Sequence, residues 1–428
     1  MIPVIFRIIV GICALFGVPA VAAAEPLSPE RVVAQALEHN GELQALRQEL
    51  GVAEAEAARA GLRPDLVFEV GLETGEWTGS RGENRYRAGL SREFTAPGKR
   101  ELRRSAGAKG LEGARAQVED AERLLKRDLK EALYGYRHAQ EQETLARRIA
   151  ELDRELLAVA QQRFAAGDVA ELEVNIARVE ALQAEERRQA QALETAAQLQ
   201  ELSRLMGLPG AAQPELAVAL AAGKYVTEPE GLRQRALQLR PDLRALQLQV
   251  ESSRIGVDLA KLERRPNLNA GLTYSQEQSR EQSGGLADDV TDHLLGIQVS
   301  VPIPAGGRQQ ALQREATARR GGAERRLRAL QDGVIREVAT AVSRLEGAAA
   351  AVERYRTGVL PGLEANLQTL REAYRLGETG LWSVLEGRRR YEETSADYLR
   401  RLYDWNLAMA ALEAAVGEEL TVDEGDKQ

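Results

Sequence analysis

The chain is written twice. Ala36-Leu37, Leu43 and Ala45-Leu46 recur at Ala236-Leu237, Leu243 and Ala245-Leu246, a self-similarity with a period of roughly 200 residues. A repeat of this size limits the fold more than any composition does, because both copies must satisfy one plan. Further along, Arg63-Pro64 and Leu66 return at Arg265-Pro266 and Leu268, Ser91 and Ala96 at Ser300 and Ala305, and Gly98 and Arg100 at Gly306 and Arg308. Phe164, Gly167, Asp168 and Val174 match Tyr374, Gly377, Glu378 and Val384, and Gly207 matches Gly417, the offset drifting from 200 to 210. The reading is two halves, about 27–210 and about 228–420.

Each half reads in the order helix, two strands, long helix, tight turn, helix. Helical spacing is plain in Leu125, Leu129 and Leu133, and again in Leu327, Leu330, Val334, Val338, Ala341 and Leu345. No proline interrupts Lys99 to Phe164, which predicts one helix of roughly 100 Å at about 1.5 Å per residue. Arg308 to Arg375 is its counterpart, with a kink or break expected at Pro361. Such rods exceed what a compact domain needs, so other rods must cover their apolar stripes. Gly167 and Gly377 fit left-handed residues at helix ends, with shorter helices following at Ala170 to Met206 and Leu381 to Val416. Aromatics are only 4 % of the chain, in keeping with a mainly α fold.

Strands are expected near 65–77, 84–95, 266–277 and 292–303, with Glu76 to Asn84 and Gln276 to Asp292 as hairpin loops. Leu66, Phe68, Val70 and Leu72 alternate with Val67, Glu69, Gly71 and Glu73, and the other three segments alternate likewise. Four strands cannot close a barrel, since even a small one takes about 8; three chains supply twelve. A threefold barrel would turn Phe68, Leu72, Tyr274, Ile297 and Val299 toward lipid, and Glu69, Glu73, Asn269, Thr273, Gln298 and Ser300 toward water inside.

The N-terminus reads as a secretory signal over residues 1–24. Arg7 precedes the apolar run Ile8 to Val18 and the small residues Ala20 to Ala24. The run is shorter than the roughly 20 residues a spanning helix requires. The sole cysteine, Cys13, lies within it, so no disulfide is expected in the mature chain, and three His and three Met offer little to a transition metal. Removing Arg7 with the signal takes the formal charge from -8 to -9, which disfavours nucleic acid as a partner. No catalytic spacing, phosphate-cradling loop or cofactor motif is present, and His39, His138 and His293 fall at unrelated places in the repeat. The chain is therefore read as a non-enzyme without cofactors or a metal centre.

The doubled plan, with Arg-Phe-Ala-Ala-Gly at 163–167 and Tyr-Arg-Leu-Gly at 374–377, resembles the TolC family of outer-membrane efflux proteins over nearly all of residues 27–417. The resemblance implies a trimeric 12-stranded β-barrel in the outer membrane, continuous with a long α-helical periplasmic barrel. It implies a homotrimer that partners a periplasmic adaptor, an inner-membrane RND pump and outer-membrane lipid. Gln161 to Gly167 with Glu171-Leu172-Glu173 and Arg178, and Leu239 to Leu243, are most similar to outer-membrane subunits of cobalt-zinc-cadmium-type efflux systems. The alternatives are drug efflux, type I protein secretion and, remotely, a periplasmic adaptor or a coiled-coil structural protein.

By the same resemblance, the periplasmic aperture falls to Tyr374 with Phe164, and to the acids Glu173 and Glu386. Ser383 stands where such proteins often carry an Asp. Gly167, Asp168, Gly377, Glu378 and Thr379 would meet the adaptor at the helix tips. Trp382, beside one tip, is read as packing against another helix, the alternative being a contact to the adaptor.

Overall fold

The computed structural model describes residues 27–79, 83–209, 216–223, 225, 228–283, 286–303 and 307–420. The signal reading at 1–24, Cys13, and the repeat positions Ala305 and Gly306 lie outside these residues. The fold is mainly α with one antiparallel sheet, and its order occurs twice. The first copy runs α1 (Pro29–His39), α2 (Gly41–Ala60), β1 (Leu66–Thr74), β2 (Asn84–Phe94), α3 (Lys99–Ala165) and α4 (Glu171–Leu205). The second runs α5 (Pro229–Leu239), α6 (Pro241–Leu262), β3 (Leu268–Ser283), β4 (Leu286–Ser300), α7 (Arg308–Arg354), α8 (Leu360–Leu376) and α9 (Leu381–Val416).

The chain divides into two compact units. A sheet-bearing unit holds Asn40–Arg127 and Ala222–Glu353 with the end of α9, and a helical unit holds Asp128–Ala221 and Arg354–Asn406 with α1.

In the sheet-bearing unit the strands follow the order β1-β2-β3-β4, so among the described residues β1 and β4 each pair on one side only. The register aligns Phe68, Leu90, Leu272 and Ile297 in one row, and Glu69, Gly89, Thr273 and Gly296 in the next. One face is therefore apolar and the other polar, as the alternation predicts. Phe68, Val70, Leu72, Leu295 and Ile297 are all exposed on that apolar face. On the polar face Arg85 bridges Glu73 at 3.0 Å and Glu277 at 2.6 Å.

The second hairpin departs from expectation. Where 276–292 reads as a loop, β3 and β4 continue through the pairs Gln276↔His293 to Ser283↔Leu286. Beyond Tyr274 the sequence is dominated by Gln, Ser and acids, with Leu286, Val290 and Leu294 only scattered among them, so the apolar alternation weakens although backbone pairing does not.

Two arginines anchor the end of α9 within this unit. Arg123 donates to the Ala414 carbonyl at 2.5 Å, and Arg240 to that of Ala415 at 3.2 Å. These carbonyls have no onward helical partner, and a guanidinium satisfies both their hydrogen bonding and the helix dipole. Arg240 is buried and also holds Asp242 at 2.6 Å and Glu337 at 2.6 Å. Asp242 in turn accepts the Leu243 N–H at 2.8 Å, at the start of α6. In the first copy the matching place is Asn40, whose Oδ1 accepts the Leu43 N–H at 3.0 Å to cap α2.

In the helical unit, Ile149, Leu152 and Leu156 of α3, Val174, Ala177 and Ala184 of α4, Leu367 of α8, and Leu381, Val384 and Leu385 of α9 share one core. The helix expected to break at Pro361 does so by a π turn over Tyr355–Val359, after which α8 begins with that proline in its first turn. Proline lacks the N–H that helix continuation needs, and a first turn is where that loss costs least.

Candidate functional site

Both turns of the helical unit are built alike. At the first, the Gly167 N–H donates to the Phe164 carbonyl at 2.9 Å and the Asp168 N–H to that of Arg163 at 2.9 Å. At the second, Gly377 donates to Tyr374 at 3.1 Å and Glu378 to Ala373 at 2.8 Å. This is the paired closure of a Schellman end, and it requires the left-handed φ of +84° at Gly167 and +83° at Gly377. Gly167, Asp168, Gly377 and Glu378 are exposed at the two tips, while Thr379 is half-buried.

The two aromatics before these glycines behave differently. Phe164 is half-exposed, whereas Tyr374 is fully buried in the helical core with the Arg163 guanidinium 5.0 Å from its ring centre. Arg163 also donates to the Tyr374 carbonyl at 3.3 Å. Burial first, and then the nearby Glu173 carboxylate, push the Tyr374 phenol up to about 12.

Glu173 does a second job, accepting the Leu381 N–H at 3.3 Å from the first turn of α9. A carboxylate there satisfies an unpaired helix donor and complements the dipole. The structure thus gathers Arg163, Glu173, Tyr374 and Leu381 from the ends of α3 and α8 and the starts of α4 and α9. Glu386 stands apart, paired with Arg390 at 3.2 Å, and Ser383 is exposed on the same turn.

Trp382 contradicts its packing expectation. It is 70 % exposed, and Leu172, at the matching place in the first copy, is 69 % exposed. The reason is angular: Leu381, Val384 and Leu385 take the inward positions of α9, and Trp382 follows Leu381 by one residue, well off that face.

One group escaped the sequence reading altogether. Arg388 is 2 % exposed and reaches Asp153 at 3.0 Å, Glu180 at 2.9 Å and Glu392 at 3.5 Å. It sits in the run Arg388-Arg389-Arg390, which reads as a solvated face, and nothing in that run marks its first member as buried.

Among the described residues, no group of three or more His, Cys, Asp or Glu side chains could hold a metal ion, and no helix is long and apolar enough to cross a membrane.

A family model described as "Outer membrane efflux protein" matches residues 32–210 and 232–418. The chain is similar to the cobalt-zinc-cadmium resistance protein CzcC of Cupriavidus metallidurans, 25% identical over 399 residues, covering 92% of this chain and 91% of that one. It is 23% identical over 199 residues to the outer membrane protein TolC of Vibrio cholerae, covering 46% of this chain and 45% of that protein. The TolC match therefore spans about half the length of each. Its fold is similar to a crystal structure of CusC, with a TM-score of 0.76 and 19% identity, over 91% of this chain and 92% of that one.

Proposed function

Since the chain belongs to the outer membrane efflux protein family, we propose that three copies form the exit duct of a tripartite efflux assembly. A periplasmic adaptor and an inner-membrane RND pump are its partners, and heavy-metal cations are its cargo. A member of that family is an outer-membrane channel protein and not an enzyme. Export to that membrane uses the signal read at residues 1–24.

The observation that carries the reading is the sheet, four strands with an exposed apolar face and a polar face opposite it. One such sheet has nothing to close against, whereas three make a twelve-stranded barrel that hides every edge and gives each apolar face to lipid. β1 and β2, at 9 and 11 residues, have the length that a tilted spanning strand needs, about 9–11 residues.

The cargo is argued from the CzcC relative, whose similarity runs through 92% of this chain. A duct passes ions without binding them tightly, so the shortage of soft ligands is no obstacle. Deleting the gene should raise metal sensitivity of the host for cobalt, zinc or cadmium, and complementation should restore it. Unchanged sensitivity to all three would overturn the cargo assignment.

At the tips, Glu173 and Glu386 are assigned to the aperture with Phe164, Tyr374 and Ser383, and Gly167, Asp168, Gly377, Glu378 and Thr379 to adaptor contact. Threefold repetition would turn each carboxylate into a ring, raising the local concentration of cations. The double substitution Glu173→Gln with Glu386→Gln is expected to lower the cation-to-anion permeability ratio about twofold or more. Reversal potentials across a salt gradient check this, and an unchanged ratio would remove the ring.

A further inference from the structure

The cluster around Arg388 is short of one positive charge. Two carboxylates, Asp153 of α3 and Glu180 of α4, meet its guanidinium at 3.0 and 2.9 Å, and Glu392 of α9 lies at 3.5 Å. The other cation facing Asp153 is Arg187 of α4, whose Nε lies 3.7 Å from Glu392. Among the described residues three acids therefore share two bases. Asp153 is the most deeply buried of the acids, at 1 % exposure, and among the described residues its Oδ1 has no hydrogen-bond partner. The Nε of Arg388 is likewise unpartnered. An uncompensated buried charge with an unsatisfied oxygen is costly, and taking up a proton is the least expensive remedy.

We propose that Asp153 is a proton-binding site, and that the packed state of α9 against α3 and α4 is the state in which Asp153 carries its proton. With that proton in place, Arg388 and Arg187 balance Glu180 and Glu392 and the cluster is neutral. Without it, one buried carboxylate is in excess and α9 is held less tightly.

The chemistry of the carboxyl agrees. Burial, the larger effect, outweighs attraction by Arg388 and raises Asp153 from 3.8 to about 6. A carboxyl that binds its proton more tightly when packed stabilises the packed state fully below its exposed value, and that contribution is lost as pH rises through the raised value. The direction is opposite to that of an ordinary salt bridge, in which ionising the acid strengthens the contact. Acid therefore tightens α9, and neutral to alkaline conditions loosen it. Close packing passes the change along the hairpin: a Cβ on Gly387 would lie 2.5 Å from Leu370 Cδ1, so α8 and α9 are in intimate contact beside Arg388. The consequence for the aperture rests on the channel reading above, because α9 carries Ser383 and Glu386.

Amide hydrogen exchange of the full-length protein in detergent, followed over the first half of α9 and corrected for intrinsic rates, tests this. Opening of these amides should be about tenfold more frequent near pH 8 than near pH 5. Asp153→Asn, of the same shape and neutral, should show at the higher pH the protection that the unaltered protein has at the lower, with no step between them. Glu180→Gln removes a neighbouring negative charge, a smaller cause than burial, and should move the step to lower pH without abolishing it, which serves if the Asn variant does not fold. The proposal is overturned if the unaltered protein shows no step, if Glu180→Gln leaves the step at the same pH or moves it upward, or if Asp153→Asn loses protection at both pH values, as loss of a simple ion pair would cause. Exchange does not depend on conduction, so a protein that shows the step but passes no ions would refute the channel and leave the proton site standing.

Discussion

Ile297→Arg is expected to keep the protein out of the outer membrane. Ile297 is 80 % exposed and shares a row with Phe68, Leu90 and Leu272. On the same face of β2 stand Tyr86, Ala88, Leu90 and Phe94, interrupted at Arg92, whose Nε turns to the Pro64 carbonyl at 3.1 Å, and Leu90 is midway, so this row sits at mid-height of the band. An Arg on the lipid face near the midplane costs about 2–4 kcal/mol, and a threefold assembly meets that cost three times, about 6–12 kcal/mol in all. That is comparable to the whole stability of a typical domain, about 5–15 kcal/mol. Gln298→Arg, one residue along and on the opposite face, is expected to leave assembly intact. The readouts are membrane fractionation and the heat-resistant trimer in detergent gels. Normal insertion of Ile297→Arg would mean that this face does not meet lipid.

The second large effect is expected at Arg240. Replacing it by Ala leaves Asp242, 18 % exposed, with the more distant Arg123 at 3.9 Å and the Ala415 carbonyl without its donor, whereas the half-exposed Glu337 turns to water. Removing one partner of a fully buried ionic group costs about 3–5 kcal/mol, and since here chiefly Asp242 keeps its desolvation penalty the loss should lie toward or below the lower figure. Burial alone would raise the Asp242 carboxyl, but the Arg240 hydrogen bond and charge together override it and hold the carboxyl below its usual range. Its share of stability is therefore present above the ordinary aspartate value and is lost as pH falls through the lowered one. Arg240→Ala should lower the denaturant midpoint accordingly at neutral pH, and the deficit should narrow in acid. Arg240→Met keeps the aliphatic stem and should cost less. A deficit that stays constant into acid would mean that packing, not charge, makes Arg240 important.

Much of the architecture was legible because its signals are local and periodic. The apolar alternation of Phe68, Val70 and Leu72 is a two-residue period that only a strand satisfies, and Gly167 and Gly377 mark the sites where the chain needs a left-handed residue. The outer part of β3 and β4 was not legible, because its pairing is carried by backbone groups that every residue possesses. Arg388 and Trp382 failed for a complementary reason. Both lie on α9, and which face of that helix is covered depends on α3, α4 and α8, whose approach no local pattern records. The turn residues were placed by analogy, and the geometry adds to them the capping of α9 by Glu173 and the cover of Arg163 over Tyr374, contacts between segments more than two hundred residues apart.

The π turn at Tyr355–Val359 bears on how the two copies diverged. Arg100 and Arg308 are 208 positions apart, but Gly167 and Gly377 are 210 apart, so the second rod contains surplus residues that the first does not. Each residue added to an α-helix rotates everything beyond it by about 100°, enough to swing a core stripe into solvent. A wider loop of backbone, followed at once by a proline, takes up surplus length without passing the full rotation on. The inheritance of one inward-facing stripe by two rods of unequal length thus depends on a single swollen turn, and trimming a residue from it should disturb the tip at Gly377 more than the turn itself.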